Sequence, residues 1–165
     1  MRDRRAGRPV WAAAAIVAML SGASGDRPAR AAGDASRVVS IDSLLSTYRL
    51  AEGTALKSLA IGQMSQASVS ILQTRTGVRA HYHAQSDEVL YVLSGRGVLR
   101  SAPDGARTKA KVLAAMPPAR LKAGVVILMP RGTAHMIDVQ GDDPLVILSI
   151  FAPVFHGEDR IAVPE

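Results

Sequence analysis

The chain has 165 residues, of which 48% are hydrophobic and 21% charged, a composition typical of a folded domain rather than of a disordered chain. It contains no cysteine, which excludes disulfides, thiolate metal sites and thiol nucleophiles, so any metal ligands would be histidines and carboxylates. The formal net charge is +6, but aromatic residues make up only 4%, too few to form a stacking surface for single-stranded nucleic acid.

The N-terminal residues have the layout of a secretory signal peptide. A basic cluster at residues 2–8 is followed by the apolar run Val10–Leu20 and then by the small residues Ser21-Gly22-Ala23. The apolar run is shorter than the ~20 residues that span a bilayer, so we expect no stable membrane anchor, although an anchor is the alternative interpretation. We predict a signal peptide and disordered leader over residues 1–31, cleavage after Ala23 or Ala31, and a periplasmic or secreted location.

Much of the positive charge belongs to this predicted signal peptide. Residues 1–23 contain four arginines and one aspartate, so their removal lowers the formal net charge from +6 to +3. A strong basic balance is the main sequence feature that would favour nucleic-acid binding. We therefore expect no nucleic-acid partner.

The first predicted element of the mature chain is a short helix over Ser40–Leu50. Apolar residues at positions 41, 44, 45 and 48 have helical spacing, and Ser40 or Asp42 is a suitable N-cap.

Beyond this helix the apolar residues alternate with a period of two, which predicts short strands and an all-β sandwich or barrel. The long connection Ser101–Gly124 contains turn residues and Pro117-Pro118, and is interpreted as an edge loop or a lid. The predicted strands are Val69–Thr74, Glu88–Leu93, Gly97–Arg100, Val125–Met129, His135–Val139 and Leu145–Phe151.

Three histidines and one glutamate are placed where strands can bring them together. His81 and His83 are two residues apart, which puts both imidazoles on one face of a strand. Glu88 begins the next strand after a turn, so its carboxylate can point back towards them. His135 follows the tight turn at Pro130-Arg131-Gly132.

The spacing as a whole resembles the two signature motifs of the cupin superfamily. These motifs read His81-x-His83-x4-Glu88-x6-Gly95 and Gly124-x5-Pro130-x-Gly132-x2-His135. The resemblance implies an all-β double-stranded β-helix, the cupin jelly-roll barrel, over residues 38–160 with the short helix at its N-terminus. It also implies one divalent metal ion bound by His81, His83, Glu88 and His135.

The sequence departs from the cupin motifs at two positions. Gly77 lies four residues before His81, whereas the family usually has a glycine six residues before the first histidine. Val139 stands where the second motif usually ends in asparagine. We expect Val139 to share the inward face with His135 and to give the pocket an apolar wall.

The implied ligand set suits iron, manganese, nickel, copper or zinc. With one ligand carboxylate, a divalent ion keeps residual positive charge, so the expected ligand is a small anionic molecule. Arg79 lies two residues before His81 and is predicted to bind a substrate carboxylate, the alternative being a solvated side chain at a strand end. Gln73 lies an even number of residues before His81, so it is expected on the same face, and it is a weaker candidate for binding the substrate. His156, in a late loop, is expected to be exposed.

Two classes of function remain open at this point. One is a metal-dependent dioxygenase, or a related lyase or isomerase, with no catalytic acid or base assigned. The other is a non-catalytic metal- or ligand-binding module of the cell envelope. The few aromatic residues argue against a sugar-stacking or flavonoid-sized aromatic pocket, and the long exposed edges of a jelly roll make a homodimer possible.

Overall fold

A computed structural model describes residues 36–165, and the predicted signal peptide and leader at residues 1–31 lie outside this range. The first element, α1 (Ile41–Thr47), begins after Ser40, whose hydroxyl accepts a hydrogen bond from the Ser43 amide at 3.2 Å. This confirms the predicted N-cap, but the helix ends before Leu50. Neither α1 nor any other helix in residues 36–165 is long and apolar enough to cross a membrane.

The described residues form ten strands in two five-stranded antiparallel sheets, which confirms the predicted all-β jelly roll with a short helix before it. The first sheet has the order β1-β2-β9-β4-β7 and the second the order β10-β3-β8-β5-β6. The strands are β1 (Leu56–Gln63), β2 (Ser68–Thr74), β3 (Val78–His83), β4 (Asp87–Ser94), β5 (Arg96–Ala102), β6 (Ala119–Lys122), β7 (Val126–Met129), β8 (Ala134–Val139), β9 (Leu145–Ala152) and β10 (Arg160–Ala162).

The main apolar core lies between the two sheets because alternate residues of each strand point inward. In β4, for example, Leu90 and Val92 are buried while Asp87 and Tyr91 are exposed. The buried members of this core are Leu90, Val92, Leu99, Leu121, Met129, Ile137, Leu145 and Ile147.

The connection between β5 and β7 is more ordered than a loop or lid. It contains a second helix, α2 (Ala110–Ala114), and strand β6, which pairs with β5. Leu113 of α2 is fully buried in a smaller core cluster with Ala102, Ala134 and Val163. This packing holds the connection against the second sheet, so the expectation of an irregular edge loop was wrong.

Candidate metal centre

The structure brings the three predicted histidines together on the inward face of the second sheet. His81 and His83 both point inward from β3, and His81 lies directly opposite His135 of β8. All three side chains are buried. One ring nitrogen from each lies within 4.8 Å of the others, so the cluster is suited to hold a metal ion.

A tight turn at Gly77 sets the approach of β3 to β8. The Gly77 amide donates a hydrogen bond to the Thr74 hydroxyl at 2.9 Å, and Gly77 has a φ of +90°. A Cβ atom at this position would lie 2.1 Å from the carbonyl oxygen of Ile137 on β8. Only glycine therefore allows the two histidine-bearing strands to come this close.

The turn before β8 is hydrogen-bonded to the end of β3 and the start of β4. The Gly132 amide donates to the carbonyl oxygen of His83 at 2.7 Å, and the Arg131 amide donates to the Asp87 carboxylate at 2.9 Å. These bonds link the start of β8 to the connection between β3 and β4. The two motif segments are thus held in a fixed relative position.

Glu88 reaches the cluster from β4 of the opposite sheet. Its Oε2 atom lies 3.7 Å from Nε2 of His83 and 3.5 Å from Nε2 of His135. Burial raises the pKa of the Glu88 carboxyl from 4.5 to about 7, while a hydrogen bond from Ser149 and the charge of Arg160 oppose the rise. The carboxyl therefore gives up its proton near neutral pH.

Backbone carbonyl oxygens fix the orientation of two of the imidazoles. Nδ1 of His81 lies 2.8 Å from the carbonyl oxygen of Arg79, and Nδ1 of His135 lies 3.1 Å from that of Thr133. A carbonyl oxygen can only accept, so each Nδ1 carries the proton and each Nε2 keeps its lone pair.

The third imidazole faces a carboxylate that the sequence interpretation missed. Nδ1 of His83 lies 3.3 Å from Oδ2 of Asp159, and both side chains are buried. Neither atom forms a well-directed hydrogen bond in the described structure. The other carboxylate oxygen of Asp159 accepts from the Gln85 amide, which holds the group beside His83.

The protonation states of the histidines fit a metal ion. Burial lowers the pKa of His81 to about 2 and that of His135 to about 4. Burial also lowers the pKa of His83, although Asp159 opposes this shift. Because metal binding requires unprotonated imidazoles, three buried rings that are neutral at pH 7 form a suitable donor set.

A cavity of about 600 Å³ opens above the histidines between the two sheets. Two stacked phenylalanines, Phe151 and Phe155, form one wall, with ring centroids 4.6 Å apart. Each ring contacts His83 edge-on, with centroid distances of 5.1 and 5.4 Å. Aromatic residues are few in the chain, but two of them are concentrated in this wall.

Three other residues assigned from strand parity lie elsewhere. Arg79 is exposed and lines a second cavity, together with Lys111, Met136 and Arg160, instead of the histidine cavity. Gln73 faces the outside of the first sheet, where its side-chain amide binds the backbone of Tyr48 at 2.8 Å. Val139 packs against the main core and is not part of the cavity wall.

The cationic side chain that does reach the histidine cavity is that of Arg160 of β10, which is exposed and also lines the second cavity. In the pairing of β10 with β3, Arg160 lies opposite His83 and Ala162 opposite His81. The sequence interpretation missed both Asp159 and Arg160 because it ended the strands at Phe151. The available signal was the short alternating segment that follows the acidic pair Glu158-Asp159.

Several solved structures are similar to this one in fold. BH2720 from Bacillus halodurans is 22% identical, with a TM-score of 0.60 over 81% of this chain and 92% of that chain. A Klebsiella pneumoniae protein with a double-stranded β-helix domain is 21% identical, with a TM-score of 0.56 over 79% and 99%. Streptomyces PAC13, solved with uridine, is 17% identical, with a TM-score of 0.51 over 67% and 82%.

The sequence itself identifies the family. No curated protein matches it. The family model described as cupin, however, matches residues 32–162, which include both histidine motifs, both sheets and β10. This match extends over most of the chain and agrees with the jelly-roll fold and the buried histidine cluster. The chain therefore belongs to the cupin family.

Proposed function

We propose that this protein is an exported, metal-dependent cupin enzyme that acts on a small anionic substrate. One divalent ion would be held by Nε2 of His81, His83 and His135 and by the carboxylate of Glu88. The observation that carries the proposal is the convergence of three buried, neutral imidazoles beside a buried carboxyl at the base of a cavity of about 600 Å³.

The donor set limits the metal to ions that accept nitrogen and oxygen ligands, namely iron, manganese, nickel, copper or zinc. When bound, any of these supplies a Lewis acid, and all except zinc also supply a one-electron redox centre. The chain's own contribution is a rigid set of ligands, because His81 and His135 are each tied through Nδ1 to a backbone carbonyl oxygen.

The charges around the site favour an anionic substrate. The carboxylates of Glu88 and Asp159 together compensate a divalent ion, and Arg160 then leaves one net positive charge. The mostly apolar lining of the cavity strengthens the attraction of this charge for an anion. A small carboxylate or an enolate matches these conditions.

Among the reactions open to such a site, oxygen-dependent chemistry is favoured over proton-transfer chemistry. Glu88 is the one carboxyl among the described residues that line the cavity, and it is assigned to the metal. A lyase or isomerase usually needs a further positioned acid or base. The same observation supports a second candidate, a binding module of the cell envelope without catalytic activity.

Elemental analysis of the untagged protein tests the metal site. We expect about one equivalent of metal per chain in the wild type, and loss of most of it in His135→Ala. His156→Ala is the matched control, because His156 is an exposed histidine outside the cluster. Full occupancy in His135→Ala would contradict the proposed ligand set.

An oxygen electrode and an anaerobic binding assay distinguish the enzyme from the binding module. The iron-, manganese- and nickel-loaded proteins are screened against small carboxylates and diketones. Oxygen uptake that disappears in Glu88→Gln supports a dioxygenase. Tight anaerobic binding without turnover supports the binding module, and the absence of both in metal-loaded protein contradicts the proposed substrate class.

The proposed export rests on the order of basic, apolar and small residues at the N-terminus. N-terminal sequencing of protein from fractionated cells tests it. We expect a mature protein that starts after Ala23 or Ala31 and lies in the periplasm or the medium. Recovery of intact Met1 on cytoplasmic protein would overturn the export proposal and leave the metal site unaffected.

A further inference from the structure

We infer that the histidine cavity takes an amphiphilic monocarboxylate, with its carboxylate on Arg160 and an unsaturated apolar body against Phe151 and Phe155. This inference rests on the proposed function for the location of the site, and it adds the residue that binds the acid group and the chemical class of the rest of the molecule.

The register of β10 places Arg160 on the metal side of the second sheet. Directly paired residues of antiparallel strands point to the same face, and Arg160 is paired with His83, whose ring points inward. The Arg160 side chain lines the cavity, and one of its terminal nitrogens donates to the carbonyl oxygen of Arg79 at 3.4 Å. This bond steadies the guanidinium at the cavity edge and leaves its other N–H groups for a ligand.

The charge of Arg160 is available to an incoming anion. Within residues 36–165 no carboxylate lies within ion-pairing distance of its guanidinium. The nearby carboxyl of Glu88 is assigned to the metal in the proposed site. A planar guanidinium binds a carboxylate through two parallel hydrogen bonds, and no other described arginine or lysine lines this cavity.

The remaining lining is mostly apolar and fits the body of the ligand. Apart from the stacked phenylalanines, side chains of β1, β2 and β3 contribute an apolar surface that is interrupted by Ser58, Gln63, Ser68 and Ser70. Its members are Leu56, Ala60, Ile61, Val69, Leu72 and Val78. Flat unsaturated groups pack against aromatic rings in offset or edge-on arrangements, as His83 already does with Phe151 and Phe155.

The size of the cavity agrees with a ligand larger than a two- or three-carbon acid. Its volume of about 600 Å³ lies within the ~300–1,000 Å³ range of small-molecule sites. A three-carbon acid would leave the phenylalanine wall in contact with water. An acid with a phenyl-sized body would cover it and gain affinity from the buried apolar area.

Three related ligands separate the contribution of the acid group to the affinity from that of the phenyl ring. 3-Phenylpropionate carries both the acid and the ring, propionate lacks the ring, and 3-phenylpropanol lacks the acid. Calorimetry or NMR titration measures their affinities for the metal-free and the zinc-loaded protein. We expect 3-phenylpropionate to bind at least about tenfold more tightly than either partial analogue.

Variants of the protein test which residue binds the carboxylate of the ligand. Arg160→Gln is expected to weaken 3-phenylpropionate about tenfold or more while leaving 3-phenylpropanol and the bound metal unchanged. Arg79→Gln is the matched control and should alter none of these values. Phe155→Ala should weaken both phenyl ligands and leave propionate unchanged. Thermal melting checks that each variant is folded.

Several outcomes would overturn the inference. They are equal affinity for propionate and 3-phenylpropionate, unchanged binding in Arg160→Gln, or an equal loss in Arg79→Gln. Failure of the proposed function appears differently, as a wild-type protein that does not retain metal. In that case ligand binding by the metal-free protein, with the same dependence on Arg160 and Phe155, would still support the inference.

Discussion

Asp159 is distant in sequence from His83, but its carboxylate lies beside the imidazole of this histidine. Its carboxylate is buried, lies 3.3 Å from Nδ1 of His83 and is held there by the Gln85 amide. A carboxylate in this position keeps the Nδ1 proton on His83 and makes Nε2 a stronger donor. The other two histidines face neutral carbonyl oxygens, so His83 is the one of the three whose Nδ1 faces a carboxylate.

We predict that Asp159→Asn lowers the affinity for the metal by about 10–100-fold, the usual effect of removing such a partner. A chelator competition assay on the purified protein measures it. Asp143→Asn is the control, because Asp143 is exposed in the turn before β9. Equal affinity of Asp159→Asn and wild type would show that the carboxylate does not support His83.

The buried carboxyl of Glu88 makes the stability of the metal-free protein depend on pH. Its pKa is about 7 in the folded state and 4.5 when unfolded, so folding favours the protonated form. This contribution is present below pH 4.5 and is lost as the pH rises through 7. Raising the pH over this range therefore lowers the free energy of unfolding by roughly 3 kcal/mol, at about 1.36 kcal/mol per pKa unit.

We therefore predict that Glu88→Gln, in chelator, gains stability relative to wild type as the pH is raised from 4.5 to 8. Urea denaturation of both proteins at several pH values measures the difference. The histidines, whose low pKa values reduce stability as the pH falls below 6.5, are present in both proteins, so their contribution largely cancels. A difference that stays constant with pH would contradict the prediction.

Among single residues, the histidine cluster was predictable from the sequence, whereas the arginine that lines its cavity, Arg160, was not. The cluster depends on motif intervals and on side chains close to turns, which the chain itself defines. The assignment of Arg79 depended on strict alternation along β3, but the pairing of β3 with β8 shifts in register between Val78 and His81. At a register shift the regular alternation between the two faces of a strand is interrupted. Residues on either side of the shift therefore cannot be assigned to one face by counting in steps of two.

At the scale of elements, the predicted strands were found and the missed elements were mostly short or at edges. β6 and β10 have four and three residues, and α2 has five, too few for a periodic pattern to stand out. β1 is longer, but it is an edge strand with many exposed positions. These elements exist because they pair with or pack against strands that the sequence does identify, which is a tertiary effect.

The segment after α1 depends on one side chain of β2. The Gln73 amide donates to the carbonyl oxygen of Tyr48 at 2.8 Å and accepts from the Leu50 amide at 3.1 Å. Leu50 is buried, so its amide has little access to water, and the hydrogen bond to the Tyr48 carbonyl oxygen is partly buried. Gln73 therefore anchors α1 to the outer face of the first sheet.

We predict that Gln73→Ala destabilises the protein by about 1–3 kcal/mol, the cost of leaving buried backbone groups without partners. Amide exchange of residues 41–50 should become faster, while exchange in β4 and β9 stays slow. Gln140→Ala is the control, because Gln140 is exposed in a turn. Unchanged exchange in residues 41–50 would show that packing alone holds α1.

At the scale of the whole molecule, the proposed metal would join the two sheets. The three histidines belong to the second sheet and Glu88 to the first. The expected homodimer stays a prediction; in such a dimer, the exposed Val126 and Leu128 of the edge strand β7 would be suitable contact residues.

We predict that metal binding stabilises the whole fold. At a free-metal concentration of about 1,000 times the dissociation constant, the gain is about 4 kcal/mol, and the melting temperature should rise accordingly. Calorimetry of metal-free and metal-loaded protein measures it. His135→Ala should show no rise and His156→Ala a normal one. An equal rise in His135→Ala would place the stabilising metal elsewhere.

Because β10 follows the other described strands, the residues it brings to the site are synthesised late. Asp159 lies directly before β10 and Arg160 is the first residue of β10, which pairs with β3, a strand that the ribosome releases much earlier. A nascent chain can therefore form most of the barrel while His83 still lacks its carboxylate. If the chain crosses a membrane unfolded, it crosses without a metal site. The proposed ion would then be taken from the compartment in which β10 pairs with β3.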